Sequence, residues 1–266
     1  MIARHIGIGI LALLAMTFPV QAGISVGTLT LESDARPGQV YRGTFTVVNT
    51  DSTPRTAAVF QTDYSFRSDG SNSFSEPGLL PRSNARWITF SPRQIEVPPR
   101  QSMSISYEVR VPADSTLQGT YWSIFMVEEV ESGSDTPASL SRNQTEVRQV
   151  VRYGIQCITN IGDVGRAQLH LTGTRLVAED GHDPELQVDV ENVGERWQSP
   201  AAWMELYDDT GRRVGRFESE KKRIYPETSV RFRINLGATP AGKYKALVVL
   251  DSGDQDVIGA RYDLEF

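Results

Sequence analysis

The stretch GTYWSIFMVEE, from Gly119 to Glu129, has a counterpart later in the chain, GKYKALVVLDS, from Gly242 to Ser252. Each copy has a glycine, one polar residue, a tyrosine and then an apolar run that ends in an acidic residue. The glycine lets the chain turn tightly into a strand. The tyrosine is expected to pack at the corner of a β-sandwich, with its hydroxyl bonded to the backbone. The apolar run predicts a central strand in each of two sheets.

The neighbours of this phrase repeat as well. In both halves an alternating strand runs into an asparagine, and a proline-led segment later runs into another alternating strand. The four segments are FTVVNTDS (45–52) and IEVPPRQSMSISYEVRVP (95–112), then VDVENVGE (188–195) and RIYPETSVRFRINLG (223–237). A repeat with the same order of parts indicates two related domains. We place them at residues 23–162 and 166–266, with the boundary at the glycines around Gly162 and Gly165.

The hydrophobic pattern of both halves has a period of two, which indicates half-buried antiparallel strands. The strand SMSISYEVRV puts its apolar residues on one face, and they are Met103, Ile105, Tyr107, Val109 and Val111. Turn signals such as Arg36-Pro37-Gly38 and Asp209-Thr210-Gly211 separate such strands. The sequence therefore predicts an all-β protein of two tandem immunoglobulin-like β-sandwich domains.

The first residues predict export. The segment MIARHIGIGILALLAMTFPVQA, residues 1–22, has a basic start, a short apolar core and a small-residue exit, as in a cleaved signal peptide. A retained membrane anchor is the alternative. The apolar run is shorter than the roughly 20 residues that span a bilayer, and no later segment is apolar enough. We therefore expect a periplasmic protein without stable membrane insertion.

Composition narrows the function classes further. The formal net charge of −6 argues against a nucleic-acid partner, which favours a basic stripe. Cys157 is the only cysteine, which excludes an intrachain disulfide. We expect its thiol to be unreactive. Beyond the signal segment only His170 and His182 remain, too few for a catalytic triad or a zinc site. We predict no enzyme, no cofactor and no metal. We interpret the acidic clusters near residues 208 and 254 as solvated turns. The alternative is that they bind calcium.

The order of segments in the first half resembles a known family. The segments ISVGTLTLE, RPGQVYRGTFTVVNTDSTPRTAAVF, WITFSPRQIEVPPRQSMSISYEVRVP, GTYWSIFMVEEV and RQVVRYGIQCITNI follow the order of the N-terminal domain of PapD-like periplasmic pilus chaperones. The two-domain layout is also similar to that of WxL-type surface-binding proteins. The resemblance implies a chaperone-like protein that binds another exported polypeptide, such as a pilin-like subunit, in the assembly of a pilus or other surface structure.

In that family the last strand of the first domain is an exposed edge that lends apolar side chains to an incomplete subunit. By the resemblance this strand is Val147 to Thr159, after a polar loop. The implied partner-binding residues are the apolar Val151, Tyr153 and Ile155, with Arg148 and Arg152 as charge anchors. The alternative is that the strand pairs within its own sheet.

The family also holds the terminal carboxylate of its partner with two basic residues, one on an early strand and one on the last. Here the last strand offers Arg148 and Arg152, but the early strand ISVGTLTLESD offers no basic residue before Arg36. This departure leaves the carboxylate anchor open. The alternative function is a cell-envelope adhesion or carbohydrate-binding module that stacks glycans on exposed aromatic rings. Its candidate residues are Trp87, Tyr121, Trp122, Trp197 and Trp203.

Overall fold

The computed structural model describes residues 23–130, 151–179, 181–253 and 257–265. The predicted signal peptide, residues 1–22, and the loop that contains Arg148 lie outside the described residues. Within the described ranges no helix has the length and apolar character needed to cross a membrane.

The first domain contains strands β1 to β10 and one short 3₁₀ helix, Ala85–Trp87, between β5 and β6. The strands are β1 Ile24–Val26, β2 Thr30–Ala35, β3 Val40–Asn49, β4 Arg55–Phe66, β5 Asn72–Ser75, β6 Ile88–Ser91, β7 Gln94–Val97, β8 Ser102–Arg110, β9 Gly119–Val130 and β10 Arg152–Ile161. One sheet has the order β1-β3-β8-β6, and the facing sheet has the order β2-β10-β9-β4-β5, with β7 also paired to β4. Their inward side chains form a single core around Phe45, Ile105 and Phe125.

The second domain repeats this plan with fewer strands. They are β11 Leu169–Val177, β12 Glu185–Asn192, β13 Ala201–Tyr207, β14 Arg213–Glu218, β15 Ser229–Asn235, β16 Lys243–Asp251 and β17 Val257–Glu265. The sheets have the orders β11-β12-β15 and β14-β13-β16-β17 and enclose a second core. The predicted fold class, two tandem immunoglobulin-like sandwiches, is confirmed by these four sheets. The alternation in β8 buries Ile105, Tyr107 and Val109, whereas Met103 near its start is exposed.

The asparagine that ends an early strand in each half has the same structural role in both domains. Asn49 is fully buried, and its side-chain amide donates hydrogen bonds to the carbonyls of Thr53, Val97 and Pro98. Asn192 is equally buried and donates to the carbonyls of Arg196 and Ile224. Each therefore ties the end of its strand to the loop that follows it and to the segment before a later strand.

The two tyrosines of the repeated phrase differ in their surroundings. Tyr244 has the expected corner contact, since its hydroxyl donates to the carbonyl of Pro240 at 2.7 Å. The ring of Tyr121 instead packs against Trp87, with the ring centroids 4.7 Å apart, beside the first core. The repeated phrase thus predicts two central strands, but not an identical setting for the tyrosine.

Candidate functional site

The predicted partner-binding strand corresponds to β10, which lies between two neighbours for most of its length. It pairs antiparallel with β9 from Arg152 to Ile161. It also pairs in parallel with β2, but only from Gln156, opposite Thr30, onward. Among the described residues, the segment Arg152–Ile155 therefore has a strand on one side only. We call this segment the open edge of β10. The prediction of an edge strand over Val147 to Thr159 is corrected accordingly, because β2 covers the later residues.

The main-chain groups of the open edge point in a defined direction. The N–H of Gln156 donates to the carbonyl of Leu29, on the side of β10 away from β9. Because main-chain groups alternate sides along a strand, the N–H and C=O of Arg152 and Gly154 point to that same side. They form a short row of donors and acceptors that another strand can pair with.

The inward side chains of β10 belong to the core of their own domain. Ile155 and Cys157 are 0% and 1% exposed, and Tyr153 packs against the same cluster. Burial also raises the pKa of the Cys157 thiol to about 12, so this cysteine stays a neutral thiol at ordinary pH. The predicted role of the Ile155 side chain as a donor to a partner is wrong, because the sandwich already uses it. Val151, 38% exposed, precedes the strand.

Of the two predicted basic anchors, Arg152 lies within the described residues and Arg148 does not. The guanidinium of Arg152 forms an ion pair with Glu128 on β9, with Nε 2.6 Å from Oε2, and the Arg152 side chain remains 58% exposed. Arg152 therefore lies on the open edge and already has a partner in its own sheet, and its role as a charge anchor stays a prediction.

On β2, which carries no basic residue, an acid faces the second domain. The Glu32 carboxylate accepts hydrogen bonds from Trp197 Nε1 at 2.8 Å and Asn160 Nδ2 at 2.9 Å. It also forms an ion pair with Arg223 of the second domain at 3.1 Å. This arrangement joins the two domains and provides no cationic group from β2 for a carboxylate.

The second domain covers the outer face of β9 and β10 around Trp122 and Ile158. The ring of Tyr225 stacks on Trp122, with the centroids 4.8 Å apart and the planes 13° from parallel. Ile158 and both of these aromatic residues are nearly or fully buried in one small cluster. Trp122, a candidate for an exposed aromatic residue, points outward from its own sheet and is buried by the second domain.

Sequence reasoning missed Tyr225, although the chain carried a signal. The run Trp122 to Val127 is almost continuously apolar, and a strand of that kind is buried on both faces. Nothing local in RIYPET identifies Tyr225 as the residue that covers it.

The tryptophan rings do not provide an open stacking platform. Arg223 lies over the Trp197 ring at 3.9 Å, and Arg216 lies over the Trp203 ring at 4.0 Å. Trp122 is stacked by Tyr225, and Trp87 is packed by Tyr121. Because glycan stacking needs an uncovered ring face, this arrangement does not favour the carbohydrate-binding alternative.

The acidic turn at Asp208 is closed by its own residues. Asp208 accepts hydrogen bonds from the Thr210 hydroxyl and the Arg212 backbone N–H, and the Thr210 bond is the largest cause of its lowered pKa. Part of the second acidic turn, residues 254–256, lies outside the described residues. Within the described part of the chain, no group of three or more histidine, cysteine or acidic residues is arranged to hold a metal ion.

No protein-family model matches the chain. No curated protein sequence matches it either. Pilus and fimbrial chaperones, the class that the sequence resembles, are among the solved structures that the chain matches. One is a chaperone–tip adhesin complex of CFA/I fimbriae biogenesis, 11% identical, covering 91% of this chain and 98% of that chain with a TM-score of 0.46. A second is the CupB2 chaperone of Pseudomonas aeruginosa, at 15% identity, 91% and 100% coverage and a TM-score of 0.43.

A third is the CsuC–CsuE chaperone–tip adhesion subunit pre-assembly complex of the archaic chaperone-usher Csu pili of Acinetobacter baumannii. It is 14% identical, covers 90% of this chain and 98% of that chain, and has a TM-score of 0.44. Similarities of this size carry no argument about function, so the proposed binding mode rests on the contacts within the chain.

Proposed function

We propose that this protein is an exported, non-enzymatic chaperone that binds an extended segment of another exported polypeptide along the open edge of β10. The bound segment extends the β2-β10-β9-β4-β5 sheet by main-chain pairing. By the resemblance of the sequence to PapD-like pilus chaperones, the polypeptide is a subunit of a pilus or other surface structure. This function needs no metal and no cofactor.

The observation that supports the proposal most directly is the direction of the main-chain groups at the open edge. The N–H and C=O of Gly154 point away from β9, at a place where β2 does not reach. Unpaired main-chain groups on a strand edge are a template for pairing with another chain. Gly154 has no side chain, and Arg152 before it keeps a charge exposed beside the edge.

Side chains contribute less than the sequence predicted. Ile155 stays in the core, so the apolar contacts to a partner come from Val151, with Tyr153 half-buried beside it. A charge introduced at Ile155 would unfold the domain and could not separate binding from stability. We therefore propose a test that changes the backbone at the edge.

Gly154 allows a matched pair of variants. Gly154→Pro removes the N–H that points to the open edge, whereas Gly154→Ala adds a similar Cβ and keeps that N–H. In either variant the Cβ lies 3.3 Å from Ile124 Cγ2, so the packing cost is shared. The β9–β10 hydrogen bonds use the residues on either side, so both variants retain them.

The tagged protein is expressed in its own host, and co-purifying exported polypeptides are identified by mass spectrometry. We expect one stoichiometric exported polypeptide with the unmodified protein and with Gly154→Ala, and its loss with Gly154→Pro. Capture that survives in Gly154→Pro, with both variants folded as judged by circular dichroism, would rule out main-chain pairing at this edge.

A further inference from the structure

Two changes in the surroundings of β10 coincide at Gln156. The parallel pairing with β2 begins at this residue, opposite Thr30. The next residue on the outer face, Ile158, is 1% exposed and lies in the cluster covered by the second domain. Two residues before Gln156, the outer face carries only the hydrogen atom of Gly154. Gln156 therefore marks the boundary between the open edge and the part of β10 that is held on all sides.

The second domain contacts β10 directly at this boundary. The hydroxyl of Tyr225 donates a hydrogen bond to Gln156 Oε1 at 2.5 Å, across the two domains. Burial raises the pKa of Tyr225 to about 12, so the hydroxyl remains a neutral donor over the physiological range.

Tyr225 is itself held firmly. Its side chain is 1% exposed, stacks on Trp122 and meets the edge of Phe66 with the ring centroids 6.2 Å apart. Its carbonyl accepts hydrogen bonds from the N–H and the hydroxyl of Thr228. Because these contacts hold the Tyr225 side chain in place, its hydroxyl can hold the Gln156 side chain in place.

We infer that Tyr225 is a positioning residue for the open edge of β10: its hydroxyl anchors the strand at Gln156, and the second domain thereby holds Arg152–Ile155 in the extended form that a partner strand needs. The use of the edge by a partner rests on the proposed function, but the anchoring does not. It is a property of the free protein and can be measured without any partner.

The test compares Tyr225→Phe with Tyr244→Phe in the full chain. Tyr225→Phe keeps the aromatic stack on Trp122 and removes only the hydroxyl. Tyr244→Phe removes a hydroxyl that bonds to Pro240 within the second domain and serves as the control. Hydrogen–deuterium exchange is measured by mass spectrometry on a peptide spanning residues 151–158. We expect exchange in Tyr225→Phe to be roughly two- to tenfold faster, as for the loss of one hydrogen bond, and unchanged in Tyr244→Phe.

A double-variant cycle separates anchoring from general loosening. Gln156→Met removes the acceptor and keeps a side chain of similar length. If the hydrogen bond carries the effect, the double variant Tyr225→Phe with Gln156→Met exchanges no faster than either single variant. The inference would be overturned if the two accelerations multiply in the double variant. Equal exchange rates in Tyr225→Phe and Tyr244→Phe would overturn it as well.

The two proposals fail differently. If Tyr225→Phe accelerates exchange and no exported polypeptide is ever captured, the anchoring stands and the proposed function falls. If a polypeptide is captured through the edge and exchange is unaffected by Tyr225→Phe, the function stands and the anchoring falls. If both hold, Tyr225→Phe also weakens capture, and Tyr244→Phe leaves it unchanged.

Discussion

Replacing Asn49 and Asn192 by alanine tests whether the asparagine that repeats in the two halves stabilises each domain. Asn49→Ala removes the donor to the buried carbonyl of Val97 and the acceptor, 2.8 Å away, for the N–H of Asp51. A buried polar group left without a partner costs about 1–3 kcal/mol. The carbonyls of Thr53 and Pro98 are part-buried and can be met by water. We therefore expect a loss of about 3 kcal/mol in the free energy of unfolding.

Asn192→Ala should also destabilise the second domain, by about 2 kcal/mol. It removes two buried hydrogen bonds, to the carbonyl of Ile224 and from the N–H of Gly194, although each of these groups keeps one backbone partner. Asn235→Ala is the control, because Asn235 is exposed and only accepts a hydrogen bond from the N–H of Gly237. A surface change of this kind costs about 0.5 kcal/mol or less.

The measurement is urea-induced unfolding, followed by circular dichroism and by tryptophan fluorescence. Trp87 and Trp122 lie in the first domain and Trp197 and Trp203 in the second, so fluorescence follows both. The midpoint should move and the slope should stay constant if only stability has changed. The reasoning is refuted if both buried variants resemble Asn235→Ala, or if only one of them is destabilised.

Two further predictions concern other buried polar groups. Asp63 is fully buried and accepts hydrogen bonds from two backbone N–H groups and a serine hydroxyl in the segment after β5. Asp63→Ala should therefore lower the free energy of unfolding by about 3 kcal/mol, measured by urea unfolding; a loss below about 1 kcal/mol would contradict this. The pKa of Tyr225 is raised by burial from 10.0 to about 12, so its contribution to stability is complete below pH 10 and is lost as the pH rises toward 12. Urea unfolding across this range should show stability falling with pH, less steeply in Tyr225→Phe; an identical slope in the two proteins would contradict the assignment.

The sandwich fold could be predicted because its signals are local. The alternation in β8 and the apolar run of β9 each identify a strand from its own residues, and Asn49 and Asn192 mark the same place in the two repeats. A period of two also fixes which residues share a face. The residue pattern of a strand does not identify the residues that cover its outer face. Trp122 points outward as its position in β9 requires, but the covering residue, Tyr225, comes from the other domain.

The sequence also did not predict where β2 begins to cover the edge of β10. The segment ISVGTLTLESD reads as one strand, yet it divides into β1 and β2, which belong to different sheets. The change of sheet occurs at Gly27, where a Cβ would lie 2.2 Å from Thr46 Oγ1, so any other residue would require the Thr46 side chain to move. The position of this change decides where β2 begins beside β10, and therefore how much of β10 stays uncovered.

The boundary of the open edge at Gln156 bears on how a partner would be chosen. A long, flat and apolar edge would pair with any extended chain and promote aggregation. Here β2 closes the edge from Gln156 onward, and the exposed guanidinium of Arg152 lies on the part of the edge that the structure describes. In the proposed function, main-chain pairing gives little sequence selectivity, since every polypeptide offers the same groups. Selectivity must therefore come from side chains next to the edge, which makes Val151 and Arg152 the residues whose substitution should change which polypeptide is bound.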